Sequence, residues 1–256
     1  MTKLTFGSLF AGIGGFDLGF ERAGLTCSWQ VEIDDYCRRV LAKHWPHVRR
    51  WDDVCTFPPE PVDNWRVDVL CGGFPCQDIS DAGKRIGITG ERSGLWSEFS
   101  RIIRRLRPRF VVVENVEALL RRGMGTVLGD LAEIGFDAEW EVLPAEAFGA
   151  PHPRRRAFLV AYPGGVPLRG GFVFQRSDGI SSDPIWRSAK DIKQWRQWKC
   201  WLNSTCVAGD GDVSAADFRR MDDGIPKGME RWNGIGNAVV PQVAEWIGRQ
   251  IVNAAN

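Results

Sequence analysis

Between Val67 and Ser80 the chain runs Val-Asp-Val-Leu-Cys-Gly-Gly-Phe-Pro-Cys-Gln-Asp-Ile-Ser, and no other stretch restricts its fold as tightly. The apolar run over residues 67–71 predicts a short buried strand. Gly72 and Gly73 break it, and Phe74-Pro75 stiffens the turn that presents Cys76. In open α/β sheets, ligand chemistry collects just beyond the carboxyl ends of the strands. Cys76 therefore stands where a nucleophile would be placed. Free cysteines commonly serve as small buried packing residues, but packing alone needs no turn built from two glycines and a proline.

At 256 residues the chain is long enough for one sizeable core and a small second domain. No run of about 18 apolar residues is present, which argues against a membrane span. Lys3 is followed by Leu-Thr-Phe-Gly rather than an apolar leader, so a cytoplasmic home is expected. Seven scattered cysteines lack a four-ligand spacing, which points to no metal and to a reducing compartment. The net charge of +1 leaves any nucleic-acid footprint to local clusters.

Residues 5–10 predict the first strand and Ala11-Gly12-Ile13-Gly14-Gly15 a tight turn. Residues 16–24 then read as a helix closed by Gly24. A second strand over 28–33 carries Glu32, about twenty residues after the glycines, the spacing at which a carboxylate meets ribose hydroxyls in dinucleotide folds. Where a third fingerprint glycine belongs, this chain has Asp17, a carboxylate hostile to pyrophosphate at a helix N-terminus. A ligand with a ribose and no phosphates, such as S-adenosylmethionine, fits better.

Helices are expected over 36–45, 94–106 and 119–135, with Arg101, Arg104 and Arg105 as a solvated face of the second. Residues 78–93 read as a polar, glycine-bearing loop. Residues 110–116 form a strand apolar on both faces, as in the middle of a parallel sheet, with Glu114 near its carboxyl end. A charge there is either functional or paired with an arginine. Shorter strands are expected over 140–143 and 157–161. In the intervening Arg154-Arg155-Arg156, the first and third share a face in extended chain.

From Tyr162 the texture changes to a glycine-, aspartate- and tryptophan-rich segment without strand–helix alternation, taken as a small second domain over 162–232. Arg187, Lys190, Lys193, Arg196 and Lys199 recur there every third residue, interleaved with Trp195, Trp198 and Trp201. The pattern suits phosphate contact with base stacking, or equally a tryptophan core beneath a solvated basic face. Residues 243–252 return to the first domain's style as an amphipathic helix.

Taken together, these motifs resemble the DNA (cytosine-5) methyltransferase family. Phe10-Ala11-Gly12-Ile13-Gly14-Gly15-Phe16 is similar to its cofactor turn, Gly73-Phe74-Pro75-Cys76-Gln77 to its catalytic loop, and Glu114-Asn115-Val116 to its second catalytic motif. Arg154 and Arg156 match its paired arginines, and Gly236-Asn237-Ala238-Val239-Val240-Pro241 its closing motif. The chain departs from the family at His152, where a glutamine is usual, and lacks the usual Thr-Leu or Thr-Val pair of the recognition region.

The resemblance implies a Rossmann-like, S-adenosylmethionine-dependent α/β fold: a mostly parallel sheet flanked by helices, residues 1–161 with 233–256, plus the irregular target-recognition domain. It implies a catalytic set of Cys76, Glu114, Asn115, Arg154 and Arg156. S-adenosylmethionine would lie among Phe10, Gly12, Ile13, Gly14, Glu32, Ile33, Asp53, Val54, Pro75, Asn237 and Ala238, with Glu32 on the ribose and Asp53 at the adenine amino group. Ser80, Lys84, Arg85 and Arg92 would meet double-stranded DNA. The implied context is a monomer in a bacterium or its phage, with a cognate restriction endonuclease as a possible partner. RNA as methyl acceptor, or a nicotinamide-dependent oxidoreductase on a similar sheet, are the competing readings.

Overall fold

The computed structural model of the chain describes residues 3–75, 94–150, 154–165 and 237–255. Cys76, Ser80, Lys84, Arg85, Arg92, His152 and nearly all of the expected second domain lie outside the described residues.

Five strands are parallel neighbours in a single sheet: β1 (Thr5–Leu9), β2 (Thr26–Val31), β3 (Arg49–Trp51), β4 (Val69–Gly72) and β5 (Phe110–Val116). With β6 (Phe136–Pro144) and β7 (Arg155–Pro163), the order is β3-β2-β1-β4-β5-β7-β6. β7 runs antiparallel to both of its neighbours. The chain winds outward from β1 on both sides, so the switch point lies between β1 and β4. This is the expected Rossmann-like α/β architecture, a mostly parallel sheet flanked by helices. The antiparallel insertion of β7 was not foreseen, because a strand's direction leaves no mark on its own composition.

The central strands are apolar on both faces over most of their length, with Ser8, Glu114 and Asn115 as buried polar exceptions, because helices cover both faces. On one side Leu70, Val111 and Val113 meet Phe99, Ile102 and Ile103 of α3 (Leu95–Leu106) and Val127 and Leu131 of α5 (Met124–Ile134). On the other, Val69, Cys71, Phe110 and Val112 meet Phe16 and Phe20 of α1 (Gly15–Arg22) and Val243, Ile247 and Ile251 of α6 (Pro241–Ala255). α6 thus docks on α1 and the N-terminal strands. Gly19 makes this possible: a Cβ there would stand 2.4 Å from the Pro241 carbonyl oxygen and 2.5 Å from Ala244 Cβ.

Several boundaries differ from expectation for identifiable reasons. β2 ends at Val31, so Glu32 begins the following loop, and Glu32 N–H donates to the Trp51 carbonyl at 3.0 Å. β3, with two arginines in three residues, carries no apolar signal. The expected helix over 119–135 is two, α4 (Leu119–Arg122) and α5, interrupted at the extended Gly123. α2 (Asp35–His44) begins behind Asp34, whose carboxylate accepts from Cys37 N–H at 2.8 Å. β7 extends the sheet through Tyr162 to Pro163. Nor are the α3 arginines a uniform solvated face: Arg101 is tied to backbone carbonyls of residues 54–57.

Asp17 also turns out otherwise. It does not face a ligand but lies fully buried against the sheet. Its carboxylate accepts from Gln30 Nε2 (2.9 Å), Ser8 Oγ (3.2 Å) and Cys27 Sγ (3.5 Å). Burial pushes its pKa up to about 6, opposed by these hydrogen bonds. The native state therefore binds this proton more tightly than the unfolded chain, and the stability it confers is present at low pH and lost as pH rises through about 6. Asp17→Asn keeps a similar shape without the charge. Relative to wild type, the variant should gain up to about 3 kcal/mol between pH 4 and pH 8, as read from urea unfolding at both pH values.

Candidate active site

A cleft of about 190 Å³ opens among the turns that follow β1, β2 and β4, with Glu114 of β5 in its wall. Phe10 leaves β1 with φ 51°, a backbone region costly for a non-glycine residue, and begins its lining. Gly12 and Glu32 follow on one wall, and Asn237 and Ala238 close the cleft from the far end of the chain.

Three carboxylates, Glu32, Asp34 and Glu114, line this space, and no lysine or arginine does so among the described residues. A pyrophosphate would meet like charge here, whereas hydroxyls and a cationic centre would find acceptors. Glu32 is preset for hydroxyls. Its Oε2 accepts from Gly12 N–H at 2.7 Å and its Oε1 from Asp34 N–H at 2.8 Å, leaving a lone pair on each oxygen. Burial raises its pKa, and the backbone donors oppose that shift. Ile33, between the two acids, is 73% exposed, an unusual position for a large aliphatic residue and one suited to cover the face of a flat ring.

Of the expected cofactor residues, Phe10, Gly12, Glu32, Asn237 and Ala238 line the cleft, while Ile13, Gly14, Ile33, Asp53, Val54 and Pro75 are not among its lining. Ile13 and Val54 are buried, the latter in the main core, so Val54 can offer a ligand only its backbone. Asp53 is half-buried and caps a short helical turn, Val54–Thr56, accepting from Cys55 N–H at 2.9 Å. Ala11, Gly15, Phe16, Gly73 and Val239 line the cleft from within the motifs already quoted, and Asp34 and Cys37 line it from outside them. Asp34 could have been found from its N-cap position ahead of an amphipathic segment.

At the floor, β4 stops sooner than β5. The last pair between them is Gly72 with Val113, whereas β7 continues alongside β5 as far as Val116. Glu114 therefore has a strand on one side only, and Gly73 turns across the other. A Cβ on Gly73 would fall 2.7 Å from Glu114 Oε2, so a larger residue here would displace this carboxylate. The neighbouring Asn115, on the opposite face, is buried; its Nδ2 donates to the Phe74 carbonyl at 3.0 Å and its Oδ1 accepts from Val116 N–H at 2.8 Å. One dipeptide thus meets the turn before Cys76 with both its side chains.

The arginines divide by strand alternation. Arg155 points outward, its Nε 3.0 Å from Glu117, while Arg156 Nε stands 3.1 Å from Glu114 Oε1. Arg156 thus meets the buried Oε1 as an ion pair, and that oxygen has no further hydrogen-bond partner among the described residues. Burial drives the Glu114 pKa up, against the pull of Arg154 and then Arg156.

The chain belongs to the family of C-5 cytosine-specific DNA methylases, whose sequence profile matches residues 4–194. It is 36% identical over 162 residues to the Type II methyltransferase M2.BsuMI of Bacillus subtilis (strain 168), covering 60% of this chain and 41% of that protein. With the Type II methyltransferase M.BsuFI of Bacillus subtilis it shares 35% identity over 190 residues, 72% of this chain and 45% of the relative. These matches thus span less than half the length of either curated relative. The Entamoeba histolytica methyltransferase EhMeth aligns over 100% of both chains with a TM-score of 0.69 at 12% identity, a likeness of fold.

Arg156 bears directly on Glu114. Arg156→Met removes a cation that favours the ionised carboxylate, so Glu114 should titrate at higher pH than in wild type. Carbon-13 NMR of labelled glutamate side chains would follow this, with Glu114→Gln identifying the resonance.

Proposed function

We propose that this chain is a DNA cytosine-5 methyltransferase that uses S-adenosylmethionine. The observation that carries the proposal is the buried Glu114, facing Arg156 and standing against Gly73 in an acid-lined cleft. The cleft's chemistry fits the cofactor. Glu32 would take the ribose hydroxyls, Phe10 and Ile33 would flank the adenine, and Asp53 with the backbone of Val54 would meet its amino edge. Gly12, Ile13 and Gly14 would supply the turn, and Pro75, Asn237 and Ala238 the methionine end. The acids favour a cationic ligand over a nicotinamide dinucleotide, whose pyrophosphate they would repel.

Bound S-adenosylmethionine supplies an electrophilic methyl group on a sulfonium. The protein's task is to make cytosine C5 nucleophilic enough to take it. Cys76 follows Pro75 directly in the chain. Its thiolate would add to C6, placing the electron pair at C5 and splitting one hard step into two easier ones. A free thiol, with pKa near about 8.5, is mostly protonated at neutral pH, and Arg156 is the cation proposed to favour the thiolate. Glu114, its pKa raised by burial, would hold N3 and the exocyclic amine and share a proton with N3 during attack. Asn115 would fix the Phe74–Pro75 segment through its carbonyl contact. Loss of the C5 proton then expels the Cys76 thiolate and leaves 5-methylcytosine.

A stacked base cannot present C6 to a thiol, so the target would be rotated out of the duplex, at about a few kcal/mol of unstacking. Ser80, Lys84, Arg85 and Arg92 would contact the DNA around it, and residues 162–232 would read the target sequence in the major groove. Family membership favours DNA over RNA as acceptor. Type II relatives support a companion endonuclease as a further proposal. No helix among the described residues is long and apolar enough to cross a membrane, in keeping with the proposed cytoplasmic location.

The direct test is transfer of radiolabelled methyl groups from S-adenosylmethionine to DNA. Cys76→Ser should abolish transfer while gel-shift binding to DNA persists, and wild type should form an adduct resistant to denaturation on 5-fluorocytosine DNA. Full turnover by Cys76→Ser would end the covalent scheme. In calorimetry, S-adenosylmethionine should bind and NAD should not; the reverse would end the cofactor assignment.

A further inference from the structure

We infer that Arg101 is a positioning residue for the turn that meets the adenine of the cofactor, and through it for adenine specificity. The inference rests on the proposed role of Asp53. Arg101 extends from α3 across to the short turn Val54–Thr56. Its Nη2 donates to the carbonyls of Phe57 (2.7 Å) and Val54 (3.0 Å), with a longer contact to that of Cys55 (3.4 Å), and its Nε donates to Glu98 at 2.7 Å.

A helical turn so short supplies few donors for its own carbonyls; that of Val54 accepts from Phe57 N–H at 3.2 Å as well as from Arg101. Here one guanidinium gathers three of them, and charge-assisted hydrogen bonds are among the stronger available. A lysine would bring a point charge without that planar fork.

The far end of the turn is Asp53, and its contacts make it rigid. Asp53 caps the turn through Cys55 N–H, and its carbonyl accepts from Thr56 Oγ1 at 3.0 Å. Thr56 is in turn held by Trp51 Nε1 at 2.8 Å. Val54 and Phe57 anchor the same turn in the core that contains Phe99 and Ile102 of α3. The buried side chains set the depth of the turn, and Arg101 sets its rotation about that anchor. The Asp53 carboxylate, which reads an amino group, depends on that rotation.

The experiment compares binding of S-adenosylhomocysteine with that of S-inosylhomocysteine, in which the amino group is replaced by an oxo group. Wild type should prefer the adenine compound by about tenfold or more, the scale of a lost hydrogen bond to a charged group. Arg101→Ala should shrink that preference to about threefold or less, and raise KM for S-adenosylmethionine about tenfold while kcat at saturation stays within about twofold. Arg101→Lys should restore part of the preference. If Arg101→Ala does not fold, Glu98→Ala, which frees Nε alone, should move the preference in the same direction by less. A folded Arg101→Ala with wild-type preference and KM overturns the inference. Absence of any preference in wild type instead removes the assignment of Asp53, and the inference falls with it.

Discussion

The Glu114 carboxylate lies in a gap that exists because β4 ends before β5 does. The two strands pair as far as Gly72 and Val113, and one residue later the sheet is open on that side. A buried carboxylate in such a gap has lost water without fully regaining it from partners, which is why its pKa rises. The gap persists because Gly73 has no side chain to fill it and because Arg154 and Arg156 offset part of the cost. The cleft, the turn ahead of Cys76 and the paired arginines all take their positions from this edge.

Neighbouring contacts carry the same arrangement outward. Asn115 reaches the opposite face and holds the Phe74 carbonyl, so the glycine-proline turn is fixed from above and below by consecutive residues of one strand. Glu32 does comparable work at the end of β2, tying the Gly12 turn to the start of the loop that leads into α2. α6 then closes the far side, bringing the segment from Asn237 to Val239 to the cleft from the end of the chain. Glu32 and Asp34 are thus held by backbone donors, while Glu114 faces Arg154 and Arg156 from outside the cleft lining. That distinguishes a site for a cationic, hydroxylated ligand from one for phosphates.

Much of this could be read in the sequence. β5 matches its expected range, since an uninterrupted apolar run has few alternatives in an α/β chain. The spacing from the glycine turn put Glu32 near that turn, and the structure adds a hydrogen bond from Gly12 N–H, because both lie at the ends of adjacent parallel strands. Asp17 was misread. Its position in the motif pointed at a ligand, whereas helix geometry turns it towards Ser8, Cys27 and Gln30 on the sheet. Arg101 was misread too, because a cation on an amphipathic helix looks solvated until the carbonyls it covers, more than forty positions earlier, are brought alongside.

Sequence alone determined most of the strand segments, β3 excepted, where glycines and prolines interrupt them, and which acids fall near their ends, because these follow from local periodicity and backbone freedom. Only the tertiary structure decided the antiparallel placement of β7, the early end of β4 beside Glu114, the inward turn of Asp17 and the reach of Arg101. Each of those depends on which distant backbone groups become neighbours, and burial and hydrogen bonding act on neighbours in space rather than in sequence.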